Sequence, residues 1–565
     1  MLLLDISSPV LLSFIGFALG ALGVLSYVQS NAEYCKARER DGKEELPPQY
    51  PVLVPYLGSI IPFLWNCPDF IRRATSHSGK LVSSTISVGP KWKIFLFQDP
   101  ETIKQIWKKS AAMCAGRVHV YACKYLFGMP EKWLSVYAED NSGQFHKPFP
   151  GSNIVPERRM HRILNDGIER ALTGPGFDPT LQRFRSILIS QIQGLDAPVG
   201  EWIEIKDFRR FIHSTVGRSL VQAIFGPSLL EVNPEFMDDL FEFDRALPLL
   251  ARGVWSFIMP KPYAVRKKLH QHFKRWYSYA RQHFTEASIS QDRDGDPFWG
   301  STWMRQRQKM LNIIQDDDTL AAGDLGVAWA SIANIVSAST LALIHVANDR
   351  DVMNRVRDEV NSLFQQQDWA DIDLKKLSTI PLLASIYAET LRLHVKSFTV
   401  VSSPLSDVSL GRYRLPKGAL GLVNSHPAHM DEDFWNTKHG SRPLNSFWAD
   451  RFLIDPADPT SGPTKETHRN RLPEHASGSG EGSSDGKPYF SLKGLEGSWI
   501  PYGGGQLICP GRFLAKNVMS LACALLTQKF DIQVLTEKIE FDVRSFGFGT
   551  EVPKNAISIH MKRRA

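Results

Sequence analysis

Residues Trp499–Met519 read WIPYGGGQLICPGRFLAKNVM. Three consecutive glycines lead to Cys509, then Pro-Gly-Arg opens a run with helical apolar spacing. A cysteine at a helix start is a chemical statement. The thiolate is the form that binds a metal, and backbone N–H groups and the helix dipole stabilise it there. Pro510 removes one N–H where that donor has no intrahelical partner anyway. The glycines leave room for close approach of something flat and bulky.

A lone cysteine does not suit zinc, which takes three or four protein ligands. The nearby His426-Pro427-Ala428-His429 has no accompanying cysteine pair. One thiolate does suit haem iron, which needs one strong proximal ligand.

The loop resembles the haem loop of the cytochrome P450 family, F-x-x-G-x-x-x-C-x-G, here running from Tyr502 to Gly511 with tyrosine in place of phenylalanine. Further family motifs follow in the family's order. YAETLRLH gives Glu389-x-x-Arg392, two charges on one helix face. FWADRFL gives Ala449-Asp450-Arg451-Phe452, similar to P-E-R-F, whose arginine joins that pair in the family. RSFGFGTEVP resembles the last substrate loop. The resemblance spans roughly residues 45–560. It implies a mainly α fold with small β-sheets, Cys509 as axial ligand of haem b, and Tyr502, Gly505, Gly511 and Arg512 around the cofactor. It also implies Glu389, Arg392 and Arg451 as a structural cluster, and electrons from NADPH delivered by a reductase.

Several positions depart from the common pattern. The central helix usually carries A-G-x-D/E-T over the haem, and here Ala333 and Asn334 replace the acid and the threonine. Asparagine there resembles the branch that holds cholesterol 7α-hydroxylase and prostacyclin synthase, as does RILNDGIERALTGPGFDPTLQRF. Ala333 and Asn334 are therefore the catalytic candidates. The apolar Val401 and Leu507 stand where family members often place propionate-binding basic residues, which leaves Arg158, Arg162, Lys396 and His429 as candidates. Phe398, Val400, Phe546 and Phe548 are expected as substrate walls, with ordinary core packing as the alternative.

The rest of the chain sets the context. It has 565 residues, 43% hydrophobic, and a net charge of +7 from 66 basic and 59 acidic residues. So mild an excess gives no concentrated basic face, and no nucleic-acid partner is expected. Six cysteines without a C-x-x-C pair fit a reducing compartment. Pro9–Gln29 carries no charge, and as a helix it would span about 30 Å, a bilayer core. Lys36, Arg38, Arg40 and Lys43 follow it, so the body should stay cytosolic.

The expected organisation is an anchor at 1–30, a basic and proline-rich linker at 31–63 and a catalytic domain at 64–565, with a low-complexity surface insert near 455–495. Gly482–Gly486 within that insert matches G-x-S-x-G formally, but lacks the strand and helix a hydrolase nucleophile needs. Asp324–Ala347 is long and apolar enough to span a membrane, yet its serines and asparagine favour a buried helix. GKLVSSTISVGPKWKIFLF reads as a hairpin about Gly89-Pro90.

The function expected is a single-pass membrane monooxygenase, placed in the endoplasmic reticulum. It would oxidise a bulky apolar polycyclic substrate, terpenoid or sterol-like, in fungal secondary metabolism, with NADPH–cytochrome P450 reductase and the lipid bilayer as partners. Two rivals remain: a haem-thiolate isomerase or dehydratase needing no reductase, and a catalytically silent haem-binding protein.

Overall fold

The computed structural model describes residues 9–39, 45–52, 54, 58–77, 82–89, 92–309, 316–364, 367–469 and 486–564. Residues 470–485 of the low-complexity insert, including Gly482–Asp485, lie outside the described residues. The elements that position the site are helices α1 (Pro9–Glu39), α2 (Pro100–Lys108), α3 (Phe236–Leu250), α4 (Asp317–Ala347), α5 (Pro381–His394) and α6 (Arg512–Lys529). The strands are β1 (Ser84–Val88), β2 (Trp92–Phe97), β3 (Val395–Val401), β4 (Leu420–Asn424) and β5 (Phe548–Thr550). The chain divides into two units, one of residues 1–115, 398–428 and 496–507, the other of 116–397, 429–495 and 508–565.

In the first unit, β1 and β2 form the expected antiparallel hairpin, with Ile86 opposite Ile94 and Gly89 in the left-handed region at φ 77°. β2 runs parallel to β4, and the last four residues of β3 pair antiparallel with β4. Helix α2 starts at Pro100 behind an Asp99 cap, whose Oδ1 accepts the Thr102 N–H at 2.8 Å. Its Ile103 and Ile106 join Phe95, Phe97, Val401 and Val423 in one core.

Helix α1 continues past residue 30 to Glu39. Its segment Ser13–Ala37 is long and apolar enough to cross a membrane, and its most apolar stretch is not covered by protein. The C-terminal half touches the body instead. Ser26 and Ser30 donate to Val52 O at 3.3 Å each, Asn31 Oδ1 meets His77 Nε2 at 3.0 Å, and Tyr34 is buried.

In the second unit, α4 is the central element and packs against α5, α6 and the helix Pro260–His283. Its apolar segment is largely buried inside the protein. A helix that is apolar all round needs cover on every side. Its hydroxyls are satisfied locally: Ser331, Ser339 and Thr340 donate to the carbonyls of Val327, Ile335 and Val336 at 2.7, 2.8 and 2.8 Å. Its one deep charge, Asp324, accepts from the Tyr277 hydroxyl and is paired with Arg307. A separate sheet joins Phe530–Val534, Ile559–Arg563 and Trp202–Ile205.

Candidate active site

Cys509 ends the glycine loop and precedes α6 by three residues. Its side chain is accessible. Yet burial is the largest influence on the thiol and raises its pKa, while the Gly511 N–H and the Arg512 guanidinium pull it down. Arg512 Nη1 donates to Cys509 O at 3.0 Å, and its guanidinium lies 4.2 Å from the Phe513 ring centroid. A Cβ built on Gly511 would meet Cys509 Sγ only at 3.7 Å, so protein does not crowd that side. No cluster of three or more His, Cys, Asp or Glu that could hold an ion occurs among the described residues. A single, accessible, helix-start thiol is the donor set that haem iron requires, and these residues fit it.

The preceding glycines have a different local role. Gly504 lies against the Trp107 indole of α2, where a Cβ would sit 2.8 Å from ring atoms. Gly505, at φ 57°, would drive a Cβ to 2.3 Å from Ser110 Oγ. That hydroxyl accepts the Gln506 N–H at 2.9 Å. The glycine run expected to admit a flat, bulky group is thus pressed against a protein indole at Gly504. Tyr502 is half-buried, its ring 6.4 Å from that of Trp499.

Ala333 and Asn334 line an interior cavity with Asp244, Trp329, Phe548 and Thr550. Asn334 Oδ1 accepts the Thr550 N–H at 2.8 Å. That fixes the amide with its Nδ2 donors free of any hydrogen bond among the described residues. Trp329 Nε1 donates to Asp244 Oδ1 at 2.7 Å. Burial raises the Asp244 pKa, and the Trp329 bond and Arg245 only partly offset it.

Glu389, Arg392 and Arg451 are each fully buried and come together. Glu389 Oε2 accepts Arg392 Nε at 2.7 Å, and Oε1 accepts Arg392 Nη2 and Arg451 Nε at 2.9 Å each. Arg392 spends its other donors on His429 O and Leu444 O at 2.8 Å, and Arg451 bonds Asn436 O. Two guanidiniums share one carboxylate, and oriented carbonyls take the remaining donors. Burial pulls the Arg451 pKa down while Glu389 holds it up.

Other sequence candidates separate. Phe548 reaches the cavity, but Phe398 and Val400 pack on the core of Phe70, Ile71 and Leu96, because β3 is the sheet neighbour of β4 there. Phe546 is buried. Arg162 is bound to Asp166 at 2.8 Å, and Lys396 is paired with Glu551. His429 is fully buried, whereas Arg158 is exposed. Asp244, Trp329 and Thr550 escaped the sequence reading. The one signal for Asp244 is a charge within the apolar run of FEFDRALPLL, and nothing local connects it to Trp329.

The cytochrome P450 family model matches residues 228–559. The chain is 28% identical over 546 residues to the cytochrome P450 monooxygenase efuG of Hormonema carpetanum, covering 94% of this chain and 92% of that protein. It is 29% identical over 557 residues to the cytochrome P450 monooxygenase fsoE of Humicola fuscoatra, covering 95% and 91%. A more distant relative is the 5-beta-cholestane-3-alpha,7-alpha-diol 12-alpha-hydroxylase of Sus scrofa, 24% identical over 549 residues, 93% and 94% covered. The matched region contains the Glu389–Arg392–Arg451 cluster, Asn334 and the accessible Cys509 thiol, so the chain belongs to the cytochrome P450 family and is a haem-dependent monooxygenase.

Proposed function

We propose that this monooxygenase oxidises a bulky apolar polycyclic substrate, terpenoid or sterol-like, in fungal secondary metabolism. What supports this reading is the apolar surface that Leu247, Pro248, Trp329, Phe548 and Val552 form beside Ala333 and Asn334, around a space of about 20 Å³ that also meets Asp244, Arg245 and Asp542. That space must widen to admit a rigid hydrocarbon skeleton, which the apolar walls would then select by shape. The name of the cholestane 12-alpha-hydroxylase supports the same class, and the fungal sources of the two monooxygenases support a fungal setting. Helix α1 would anchor the protein in the endoplasmic reticulum membrane with its catalytic body cytosolic, and NADPH–cytochrome P450 reductase would deliver electrons.

When bound, the haem supplies dioxygen activation at an iron held by one thiolate. Cys509 would hold that iron, with the Gly511 N–H and Arg512 stabilising the anionic sulfur. Tyr502, Gly505 and Gly511 would shape the loop around it. Asn334 cannot ionise; it would hold a water through Nδ2, and that water would relay the protons that dioxygen activation consumes, in place of the family's acid and threonine. Ala333 has no proton to give, and leaves space beside that amide.

The test pairs spectroscopy with turnover. The reduced, CO-treated protein should show the band of thiolate-ligated haem, and Cys509→Ala should lose both band and turnover. With reductase and NADPH, a panel of triterpenoids and sterols should yield oxidised products. A second reading, a haem-thiolate isomerase or dehydratase, is favoured by Ala333 and Asn334 standing where the acid and threonine are usual. Product formed without NADPH would establish it. A protein that shows the band but neither binds nor converts any member of the panel would contradict both.

A further inference from the structure

Strand β5 fixes the Asn334 amide, yet it is three residues long. Gly547 precedes it and Gly549 lies within it, both at positive φ, 96° and 136°. Glycine gives up more conformational freedom on folding than any other residue, so this strand is costly to order. It pairs antiparallel with the start of β3: Phe548 opposite Ser397, Gly549 opposite Lys396 and Thr550 opposite Val395. Three such pairs are few to set the place of a strand that touches the central helix.

A cluster of titratable side chains closes its far end. Glu551 follows Thr550 directly, and its N–H donates to His394 O at 2.9 Å. Its Oε1 accepts from Lys396 Nζ, and its Oε2 faces His394 Nδ1 at 3.2 Å. Only 12% of the Glu551 side chain is exposed, and 5% of that of His394. Burial pushes the Glu551 carboxyl up, but His394 and Lys396 outweigh it and hold it below its ordinary value. An ionised carboxylate only accepts, so it sets the proton on His394 Nδ1. His394 Nε2 meets His345 Nε2 of α4 at 2.7 Å. The residue after Thr550 is thus tied to β3 by Lys396, to the end of α5 by His394 and, through His394, to α4 by His345.

The other side of β5 is in direct contact with Asn334. Thr550 N–H donates to Asn334 Oδ1 at 2.8 Å, and a Cβ at Gly549 would lie 2.2 Å from that same oxygen. Where β5 sits therefore decides how the amide turns.

We propose that Glu551, held by Lys396 and His394, is a positioning residue: it fixes β5 so that Thr550 takes the Asn334 oxygen and leaves the Nδ2 donors for the reaction. This rests on the reading of Asn334 as the group that holds the relaying water. Lys396, a propionate candidate by sequence, serves Glu551 instead.

The probe is carbon monoxide on the reduced, haem-loaded protein, whose C–O stretch in the infrared responds to a hydrogen-bond donor beside it. Asn334→Ala should shift that stretch. Glu551→Gln and Lys396→Met cut the clamp from its two sides. Each should broaden the band and move it toward the Asn334→Ala position, with haem content retained. Lys396→Arg keeps the ion pair and should stay closer to wild type than Lys396→Met. In the Asn334→Ala background Glu551→Gln should shift nothing further, because residues that act through one another are not additive. A purely structural role would add its effect in either background. If Glu551→Gln does not fold, Lys396→Met carries the same comparison.

A wild-type band in both clamp variants would overturn the proposal and leave the relay standing. So would an equal shift with and without Asn334. Failure of both clamp variants to load haem would make the cluster structural and overturn it too. An Asn334→Ala band identical to wild type would remove Asn334 from the ligand's side, and the relay reading and the clamp's role would fall together.

Discussion

Asn334 and Thr550 are joined by two hydrogen bonds across 216 residues of sequence: Asn334 Oδ1 accepts the Thr550 N–H at 2.8 Å, and Thr550 Oγ1 donates to Asn334 O at 3.4 Å. The pair ties the middle of α4 to β5. It also requires glycine at 549, whose φ is 136° and whose Cβ would fall 2.2 Å from Asn334 Oδ1. The Asn334 amide is thus half structural. Its oxygen is committed to the strand, and only its N–H donors remain for chemistry.

Asn334→Ala should therefore have two effects. Loss of the strand tether should cost about 1 kcal/mol, visible as a lower thermal midpoint with the haem still ligated. Loss of the donor should uncouple turnover, so that NADPH consumption outruns product and peroxide accumulates. Asn334→Thr should keep more coupling than alanine. Product per NADPH and peroxide yield check it, and unchanged coupling in Asn334→Ala would defeat the relay.

Glu389→Ala should abolish folded, haem-loaded protein rather than merely slow it. It strands the buried Arg392 and Arg451 guanidiniums without their shared carboxylate. Breaking a buried pair costs about 3–5 kcal/mol, out of a typical total stability of about 5–15 kcal/mol. Arg392→Ala should be comparably severe. Haem content per protein and urea midpoints decide it; normal values in both variants would contradict the cluster's role.

Truncation should depend on where α1 is cut. Removing residues 1–24 deletes most of the exposed apolar stretch and keeps Ser26, Ser30, Asn31 and Tyr34 on the body. Removing residues 1–30 also takes away the two serines that hold Val52. Both should release the protein from membranes partly or wholly and retain haem. The longer deletion should have the lower thermal midpoint. Resistance of either form to alkaline extraction would be the contrary result.

Acid should destabilise the protein through histidines that the fold holds neutral. Burial, with help from His161 and Arg307, lowers the His119 pKa to about 4. Burial and Arg209 lower that of His213, whose ring stacks on Phe241, to about 3. In the unfolded chain both bind protons near the ordinary value of 6.5. Their contribution is therefore complete above about pH 6.5 and falls as pH drops toward 4, by at most about 1.4 kcal/mol per pH unit for each. Urea midpoints at several pH values should show this slope, and His213→Phe should reduce it.

Local patterns determined the backbone of this reading. Cys509 before a helix, Glu389 and Arg392 three residues apart, the hairpin strands of Ser84–Val88 and Trp92–Phe97, and the long apolar helix were legible because each is written within one turn, one strand alternation or one motif. Tertiary structure alone decided which side chains share the cavity. Asp244 meets Trp329 across 85 residues, Asn334 meets Thr550 across 216, and Gly504 meets Trp107 from a distant segment. Phe398 and Phe548 looked equivalent as aromatic residues on short strands, but one lies on a core and the other on the cavity. Such contacts depend on strand register and on the rotation of one helix against another, which a chain's own periodicity does not record. Asp244 is one of four carboxyls on α3 with nothing local to single it out, and only packing α3 on α4 puts its oxygen beside Trp329.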